Sequence, residues 1–320
     1  MPATPLPDAV ARFYTTQSPF SDPGGSAPLY HGLPADPAAL ARIVRGLFVH
    51  RLEGELFETE LAPDRVREDA ETRYLDEILR LVVERDDSPL TVARPVRDRF
   101  VGVCRDFALL HCSLLRHVGV PARIRCGFAD YFNDGAGDGD GDGGDHGDHG
   151  DHVVTEYWDA ERGWLLADTQ VIEGHDVPFD PMDVPRDRFL VAGEAWRLIR
   201  EGKADPRRFG FFGEPPLVGA WFVAGEVRLD LAALNRVETL LWDVWGLGAP
   251  SDEEMTEEMF ELYDLAASVL ASASVADDAA ASFDRVRELF TGNAGLRTPA
   301  VVDSLALEKG FSQVRLREWA

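Results

Sequence analysis

The feature that most constrains the fold is an amphipathic helix predicted from Cys104 to His117. Apolar residues recur along this stretch at the spacing of one helical face, and Gly119 and Pro121 follow as stop signals. From 122 to 128 the pattern changes to the alternation that is typical of a strand. A helix followed so closely by a strand indicates a central block in which the two kinds of element pack against each other.

The segment 152–168 is predicted to form two more strands, joined by the polar turn DAERG. If this turn pairs Asp159 with Gly163, the resulting register puts His152 and Asp168 on the same face of the hairpin. A register shifted by one residue would put the two side chains on opposite faces. His152 and Asp168 can therefore act together only if the hairpin has a register that keeps both side chains on one face.

Between the strand at 122–128 and His152 lies a low-complexity run, 133–151, that contains seven aspartates, eight glycines and no base. Such a composition cannot bury apolar surface, so the run is predicted to be a mobile loop, a lid of variable length beside His152. Its repeated Asp-His pairs raise the alternative of a zinc, nickel or copper site. Because glycines separate the pairs and leave such ligands unorganised, no metal site is predicted.

The acidic charge of the chain narrows the range of partners. Its 320 residues include 57 acids and 32 bases, which gives a formal net charge of -25. A surface this acidic repels phosphate groups, so neither nucleic acid nor an anionic membrane is expected as a partner. The aspartates of 133–151 contribute part of this charge and would disfavour anionic substrates close to His152.

The cysteines indicate a reducing compartment. The chain has three, Cys104, Cys112 and Cys126. Their odd number and close spacing are typical of free thiols in a reducing environment. The first residues show neither the basic nor the apolar region of a secretory signal. No window has the roughly 18 consecutive apolar residues that a membrane span needs. A cytoplasmic location is therefore expected.

Cys104, His152 and Asp168 form the most specific candidate site. A cysteine at the start of a helix lies near free backbone N–H groups, which lower the thiol pKa and can bind the oxyanion formed when the thiolate attacks a carbonyl. A histidine beside it can accept the thiol proton, and a carboxylate can orient that histidine. The alternative for Cys104 is a buried apolar position, the common fate of a free cysteine.

Other residues of the same types are predicted to be structural. Cys112 and Cys126 fall at apolar positions of the helix and the strand. His111 lies two helical turns from the candidate nucleophile, about 10 Å along the helix axis, which is too far for it to act as the base. Asp106 and Glu156 are expected to bond backbone groups or arginines near the site.

Two blocks of the sequence resemble the transglutaminase-like superfamily: GVCRDFALLHCSLLRHVGVPAR, from Gly102 to Arg123, and HVVTEYWDAERGWLLADT, from His152 to Thr169. The first is similar to the active-site helix of the family, and the second to its His-strand-turn-strand-Asp segment. The chain is also similar to a bacterial branch of this superfamily. The resemblance implies a papain-like α+β fold, in which the active-site helix packs on an antiparallel sheet flanked by N- and C-terminal helices.

The resemblance further implies a catalytic triad of Cys104, His152 and Asp168 that needs no cofactor. The expected chemistry is transfer of an acyl group from an amide substrate (a peptide, a protein or a small molecule) through a thioester on Cys104. Two alternatives stay open. One is a cysteine peptidase or amidohydrolase of the same fold, and the other is a non-catalytic binding module.

The regions around the motif blocks are predicted from their composition and periodicity. Residues 1–250 are predicted to form the transglutaminase-like domain, with an irregular arm over 1–35 and one helix from 64 to 84. Residues 251–320 are predicted to form a helical extension packed on this domain.

Overall fold

The computed structural model describes residues 4–132, 148–273, 279–306 and 310–318. The helices within these residues are α1 (Asp8–Thr15), α2 (Pro37–Leu47), α3 (Pro63–Glu68), α4 (Leu75–Arg85), α5 (Cys104–His117), α6 (Ala192–Arg200), α7 (Ala220–Leu234), α8 (Glu257–Ala273) and α9 (Ala279–Gly292). The strands are β1 (Phe48–His50), β2 (Phe100–Gly102), β3 (Ala122–Ala129), β4 (His149–Asp159), β5 (Gly163–Ala167), β6 (Phe189–Val191), β7 (Phe209–Phe211), β8 (Leu217–Val218), β9 (Asp243–Val244), β10 (Val301–Ala306) and β11 (Gly310–Arg315). The expected α+β class is confirmed.

Strand β4 is the centre of the main sheet, whose order is β6-β3-β4-β7-β8. One edge of β4 pairs antiparallel with β3 along most of its length. The other edge pairs with β7 through His149 and Gly150, and with β5 from Thr155 onward. Between these two pairings, residues 151–154 have no neighbouring strand on this edge within the described part of the chain. The sheet therefore has a gap beside His152.

Helices α5 and α7 cover one face of this sheet. The backbone carbonyl of Ala108 in α5 accepts a hydrogen bond from Thr155 of β4 at 3.2 Å. Asp230 of α7 accepts one from the backbone N–H of Cys126 in β3 at 2.9 Å. The apolar residues of this face form the main hydrophobic core, so α5 is buried along almost its whole length. The active-site helix thus packs on a mainly antiparallel sheet, as the resemblance implied.

The β4–β5 hairpin has the predicted register. Asp159 pairs with Gly163, and the ladder continues in step as far as Thr155 and Ala167. The Asp159 carboxylate accepts hydrogen bonds from two backbone N–H groups of the turn. Gly163 has a φ of 88°, a conformation that glycine adopts without strain. His152 can lie beside the end of β5 only because the hairpin has this register.

The N-terminal segment predicted to be an irregular arm is partly helical. Residues 8–15 form α1, because Val10 and Tyr14, one helical turn apart, are both buried against the body of the protein. The Tyr14 hydroxyl also donates a hydrogen bond to the backbone carbonyl of Leu234 at 3.0 Å. The composition of residues 1–35 does not predict this short helix, because tertiary contacts stabilise it.

The single helix predicted from 64 to 84 is also wrong, since the chain forms α3 and α4 with a break between them. At the break, the buried carboxylate of Asp69 accepts hydrogen bonds from the Val101 backbone N–H at 3.0 Å and from Arg85 at 2.6 and 2.7 Å. These contacts hold Asp69 against β2, so α3 ends at Glu68 instead of continuing into α4. Periodicity within the segment does not reveal such a long-range interaction.

The region after residue 250 is not entirely helical, which corrects the prediction for 251–320. Helices α8 and α9 are present, and the Trp196 indole of α6 donates a hydrogen bond to Asp264 of α8 at 2.8 Å. Val301–Ala306 and Gly310–Arg315 instead form the antiparallel strands β10 and β11, and β10 also pairs with β9. Burial alternates along β10, as in a strand with one face packed on the protein, and Gly310 at the start of β11 has a positive φ. No helix in the described ranges is both long and apolar enough to cross a membrane.

Candidate active site

Cys104 is the first residue of α5 and lies at the gap in the sheet. Its side chain is buried, with 5% exposure. The backbone N–H of Val153 acts on the sulfur and lowers the pKa of the thiol; Val153 belongs to the part of the β4 edge that has no neighbouring strand among the described residues. The candidate nucleophile therefore lies against the segment of β4 that carries His152.

The start of α5 is held in place by Asp106. Its carboxylate accepts a hydrogen bond from the Val103 backbone N–H at 2.9 Å and forms an ion pair with Arg105 at 3.0 Å. A β-carbon at position 102 would lie only 2.8 Å from the Oδ2 atom of Asp106, so the close approach requires Gly102. The expectation that Asp106 bonds the backbone near the site is confirmed.

His152 and Asp168 form a hydrogen-bonded pair, with 2.7 Å between His152 Nε2 and Asp168 Oδ2. Asp168 directly follows β5, and the hairpin register brings it to the face of β4 that carries His152. The same Asp168 oxygen accepts a hydrogen bond from the Tyr131 hydroxyl at 2.8 Å. The other oxygen accepts one from the Gln170 backbone N–H at 2.9 Å.

These donors determine the charge of Asp168. Burial raises the pKa of its carboxyl, but the adjacent His152 and the hydrogen bonds from His152, Tyr131 and Gln170 outweigh burial and hold that pKa below its ordinary value. Asp168 is therefore a carboxylate at neutral pH. Burial and the charge of Asp168 raise the pKa of Tyr131, so its phenol stays protonated and remains a donor.

The pKa of the Cys104 thiol is raised well above its ordinary value, mainly by burial. Negative charge on Asp151, Asp168 and Glu226 raises it further, and the backbone N–H of Val153 offsets only part of this. The direction is opposite to the lowered pKa expected at a helix N-terminus, because burial and the nearby acids both disfavour the charged thiolate. The thiol is accordingly protonated in the resting protein.

Glu226 is a site residue that sequence analysis missed. It lies on α7 and is 3% exposed, and its Oε2 has no hydrogen-bond partner among the described residues. Burial, with the charges of Asp151 and Asp230, raises the pKa of Glu226 well above its ordinary value. No motif marks this residue, since α7 reaches the site only through its packing on β3.

His50, the last residue of β1, is a second residue that sequence analysis missed. Strand β1 runs parallel to β2, and His50 is paired with Gly102, two residues before Cys104. Burial lowers the pKa of His50 to about 4, against the opposing charge of Glu53, so its imidazole is neutral at pH 7. Two short apolar runs, LFVH and RFVG, were the only sequence signal for this pair of strands.

The residues predicted to be structural occupy structural positions. Cys112 and His111 are fully buried within α5, and burial lowers the pKa of His111 to about 4. Cys126 is buried in β3, where its backbone N–H bonds α7. Glu156 is buried and forms ion pairs at 2.7 to 3.1 Å with buried Arg123 and Arg125 and with the more exposed Arg186.

Most of the run predicted to be a mobile lid, residues 133–147, lies outside the described residues. Of its Asp-His pairs, those ending in His149 and His152 are described. The His149 ring stacks on Phe209, with centroids 4.9 Å apart. In the part of the chain that the structure describes, no group of three or more His, Cys, Asp or Glu side chains is arranged to hold a metal ion.

A helix that begins at a buried cysteine, packed on a sheet whose edge carries a His-Asp pair, is the arrangement of the papain-like cysteine enzymes. Residues 66–169 match the family model of the transglutaminase-like superfamily, a segment that contains Cys104, His152 and Asp168. For this segment, the match confirms the superfamily that the two sequence blocks indicated. No curated protein and no solved structure matches the chain.

Proposed function

We propose that this protein is a cysteine-dependent acyltransferase that cleaves an amide and carries the acyl group as a thioester on Cys104. The observation that carries the proposal is the His152–Asp168 pair, 2.7 Å apart, next to Val153 of strand β4, which acts on the Cys104 sulfur through its backbone N–H. A nucleophile, a base and a group that orients the base are the parts that covalent catalysis by cysteine requires.

His152 is the proposed carrier of the proton. Asp168 bonds Nε2, so Nδ1 is the nitrogen that accepts the thiol proton as the sulfur of Cys104 attacks the carbonyl carbon. Because the thiol pKa is raised, this deprotonation accompanies the attack instead of preceding it. The imidazolium then protonates the leaving nitrogen, and the amine departs. Asp168 stabilises the transient positive charge.

A second nucleophile resolves the thioester and restores the thiol. We propose that it is an amine, which makes the overall reaction a transfer, because the segment that carries Cys104, His152 and Asp168 matches the transglutaminase-like family model. Water as the nucleophile would make the protein a peptidase or amidohydrolase. The net charge of -25 favours peptide, protein or small amide substrates without anionic groups, and disfavours nucleic acid. The chemistry involves no cofactor.

Trapping the acyl-enzyme tests the proposal. The protein is incubated with p-nitrophenyl acetate or a glutamine-containing peptide, quenched in acid and analysed by peptide mass spectrometry. We expect an acyl group on Cys104 in the wild type, far less in His152→Ala and none in Cys104→Ala. Cys112→Ala, which alters another buried cysteine of the same helix, should behave like the wild type.

The same experiment separates the alternatives. If the acyl group leaves faster with added methylamine and appears as the methylamide, the protein is a transferase. If methylamine has no effect, water resolves the thioester and the protein is a hydrolase. If no donor acylates Cys104, the protein is a non-catalytic binding module.

A further inference from the structure

We propose that His50 is a catalytic residue of this site, whose Nε2–H donates a hydrogen bond to the oxyanion that forms when Cys104 attacks a carbonyl. The inference rests on the proposed acyl transfer and adds the side chain that stabilises its transition state. Tetrahedral intermediates of acyl transfer need donors at the oxygen. The backbone N–H of Cys104, which has no acceptor within α5, supplies one donor. His50 supplies the other.

His50 lies on the side of β1 that faces the start of α5. Residues two apart in a strand point to the same face, so His50 shares the face of Phe48. The Phe48 ring packs edge-on against Phe107 of α5, with centroids 5.5 Å apart. Phe107 follows Cys104 by three residues and shares its side of the helix. The pairing of His50 with Gly102 then brings His50 to the level at which α5 begins.

An electrostatic interaction places His50 close to the proposed base as well. Positive charge on His152 disfavours protonation of His50, as expected for two imidazoles that approach the same nucleophile. His50 thus lies within electrostatic range of His152, although it comes from a strand outside the segment that matches the family model.

The hydrogen bonds of His50 determine which ring nitrogen carries the proton. The Leu52 backbone N–H donates to Nδ1 at 3.3 Å, so the neutral ring has its proton on Nε2. Burial keeps the ring neutral at pH 7, because it lowers the pKa to about 4. Within the described residues no acceptor bonds Nε2. This N–H is therefore available to a substrate oxygen.

The strand that carries His50 is held rigidly. The backbone N–H of His50 donates to Glu53 Oε2 at 3.0 Å, and the same oxygen pairs with buried Arg45 at 2.7 Å. The other Glu53 oxygen accepts a hydrogen bond from the Gln170 side chain, two residues after Asp168, at 3.0 Å. One buried carboxylate thus links His50 to the segment of Asp168. Such preorganisation is what makes a donor effective at a developing charge.

The chemical step needs no further component. The sulfur of Cys104 forms a bond to the carbonyl carbon while His152 takes the thiol proton, and the π electrons of the C=O bond move to oxygen. That oxygen accepts the hydrogen bonds from Cys104 N–H and His50 Nε2–H. When the C=O bond forms again, the leaving group departs with the electron pair of the broken bond. An amine leaves with a proton from His152, whereas p-nitrophenolate leaves without one.

Two thiol reagents separate this role from a structural one. p-Nitrophenyl acetate reacts through a tetrahedral oxyanion, whereas iodoacetamide alkylates the same sulfur by displacing iodide and forms no oxyanion. Both rates at Cys104 are compared in the wild type, His50→Ala and His50→Gln, with Cys104→Ala as the background. Nitrophenolate release measures acylation, and peptide mass spectrometry measures alkylation.

In His50→Ala, acylation is expected to fall by about 10²–10³, the usual effect of removing one oxyanion donor, while alkylation stays at the wild-type rate. His50→Gln, whose amide is a donor, is expected to recover part of the acylation. Unchanged acylation in His50→Ala would overturn the role of His50 alone. Equal loss of both reactions in both variants would also overturn it, in favour of a structural role. If wild-type Cys104 forms no acyl-enzyme, the proposed function fails as well.

Discussion

His152 Nε2 and Asp168 Oδ2 lie 2.7 Å apart at the open end of the β4–β5 hairpin. The pair depends on the strand register, because a shift of one residue would turn His152 to the other face of the sheet. Tyr131 and Gln170 hold the carboxylate from two further directions. The orientation of the proposed base is thus built into one hairpin, while Cys104 reaches it from a separate helix.

Asp168→Asn is expected to slow acylation of Cys104 by about 10²–10⁴-fold, because an amide cannot stabilise the imidazolium or fix the tautomer of His152. Tyr131→Phe removes one hydrogen bond to the same carboxylate and provides a graded comparison, with an expected loss of about tenfold. Nitrophenolate release from p-nitrophenyl acetate measures both. Equal rates in the wild type and Asp168→Asn would show that the pair has no part in the reaction.

The raised pKa of the Cys104 thiol predicts a distinctive pH profile. Since only the thiolate reacts, alkylation by iodoacetamide is expected to be slower than that of N-acetylcysteine at pH 7 and to continue rising above pH 9. Mass spectrometry of the Cys104 peptide over a pH series gives the rates. Urea-unfolded protein is the control, because burial and the neighbouring acids no longer act there. A plateau below pH 7 would instead indicate a preformed thiolate–imidazolium pair.

Gly102→Ala is expected to impair the site by disturbing the start of α5. The added β-carbon would lie 2.8 Å from Asp106 Oδ2 and push that carboxylate away from the Val103 N–H. We expect a loss of about 1–3 kcal/mol in the free energy of unfolding, measured in urea, and slower acylation of Cys104. Gly150→Ala is the matched control, because a β-carbon there meets nothing closer than 4.0 Å. Equal behaviour of the two variants would contradict this role of Gly102.

Glu156→Gln is expected to change the pH dependence of stability. Burial raises the pKa of Glu156, but the three arginines around it outweigh burial and hold that pKa below its ordinary 4.5. The stabilisation from its charge is therefore complete above pH 4.5 and is lost as the pH falls through the lower folded-state pKa. At pH 7 the variant should lose about 3–5 kcal/mol, since buried Arg123 is left without a carboxylate and buried Arg125 keeps only that of Asp230.

Urea unfolding of wild type and Glu156→Gln at pH 7, 5 and 3 measures this difference. The difference in the free energy of unfolding should shrink between pH 5 and pH 3. A difference that is the same at all three values would show that the charge of Glu156 does not contribute to stability.

Residue spacing was sufficient to predict α5 and the β4–β5 hairpin. Helix periodicity and turn geometry depend on hydrogen bonds between residues a few positions apart, so the start of α5 at Cys104 and the pairing of Asp159 with Gly163 follow from local sequence. Prediction failed where a distant group competed with local preference. The bond between Asp69 and the Val101 backbone, which interrupts the predicted helix, is the clearest case.

The sequence by itself indicated Cys104, His152 and Asp168 as the candidate triad and predicted that His152 and Asp168 face the same way. Only the tertiary structure decided that His50 and Glu226 join the site and that the Cys104 thiol is protonated at rest. The physical reason is that pKa values depend on desolvation and on charges within a few ångströms, and a hydrogen-bond donor acts only over a similar distance. Which groups come that close is settled by the packing of segments far apart in the chain.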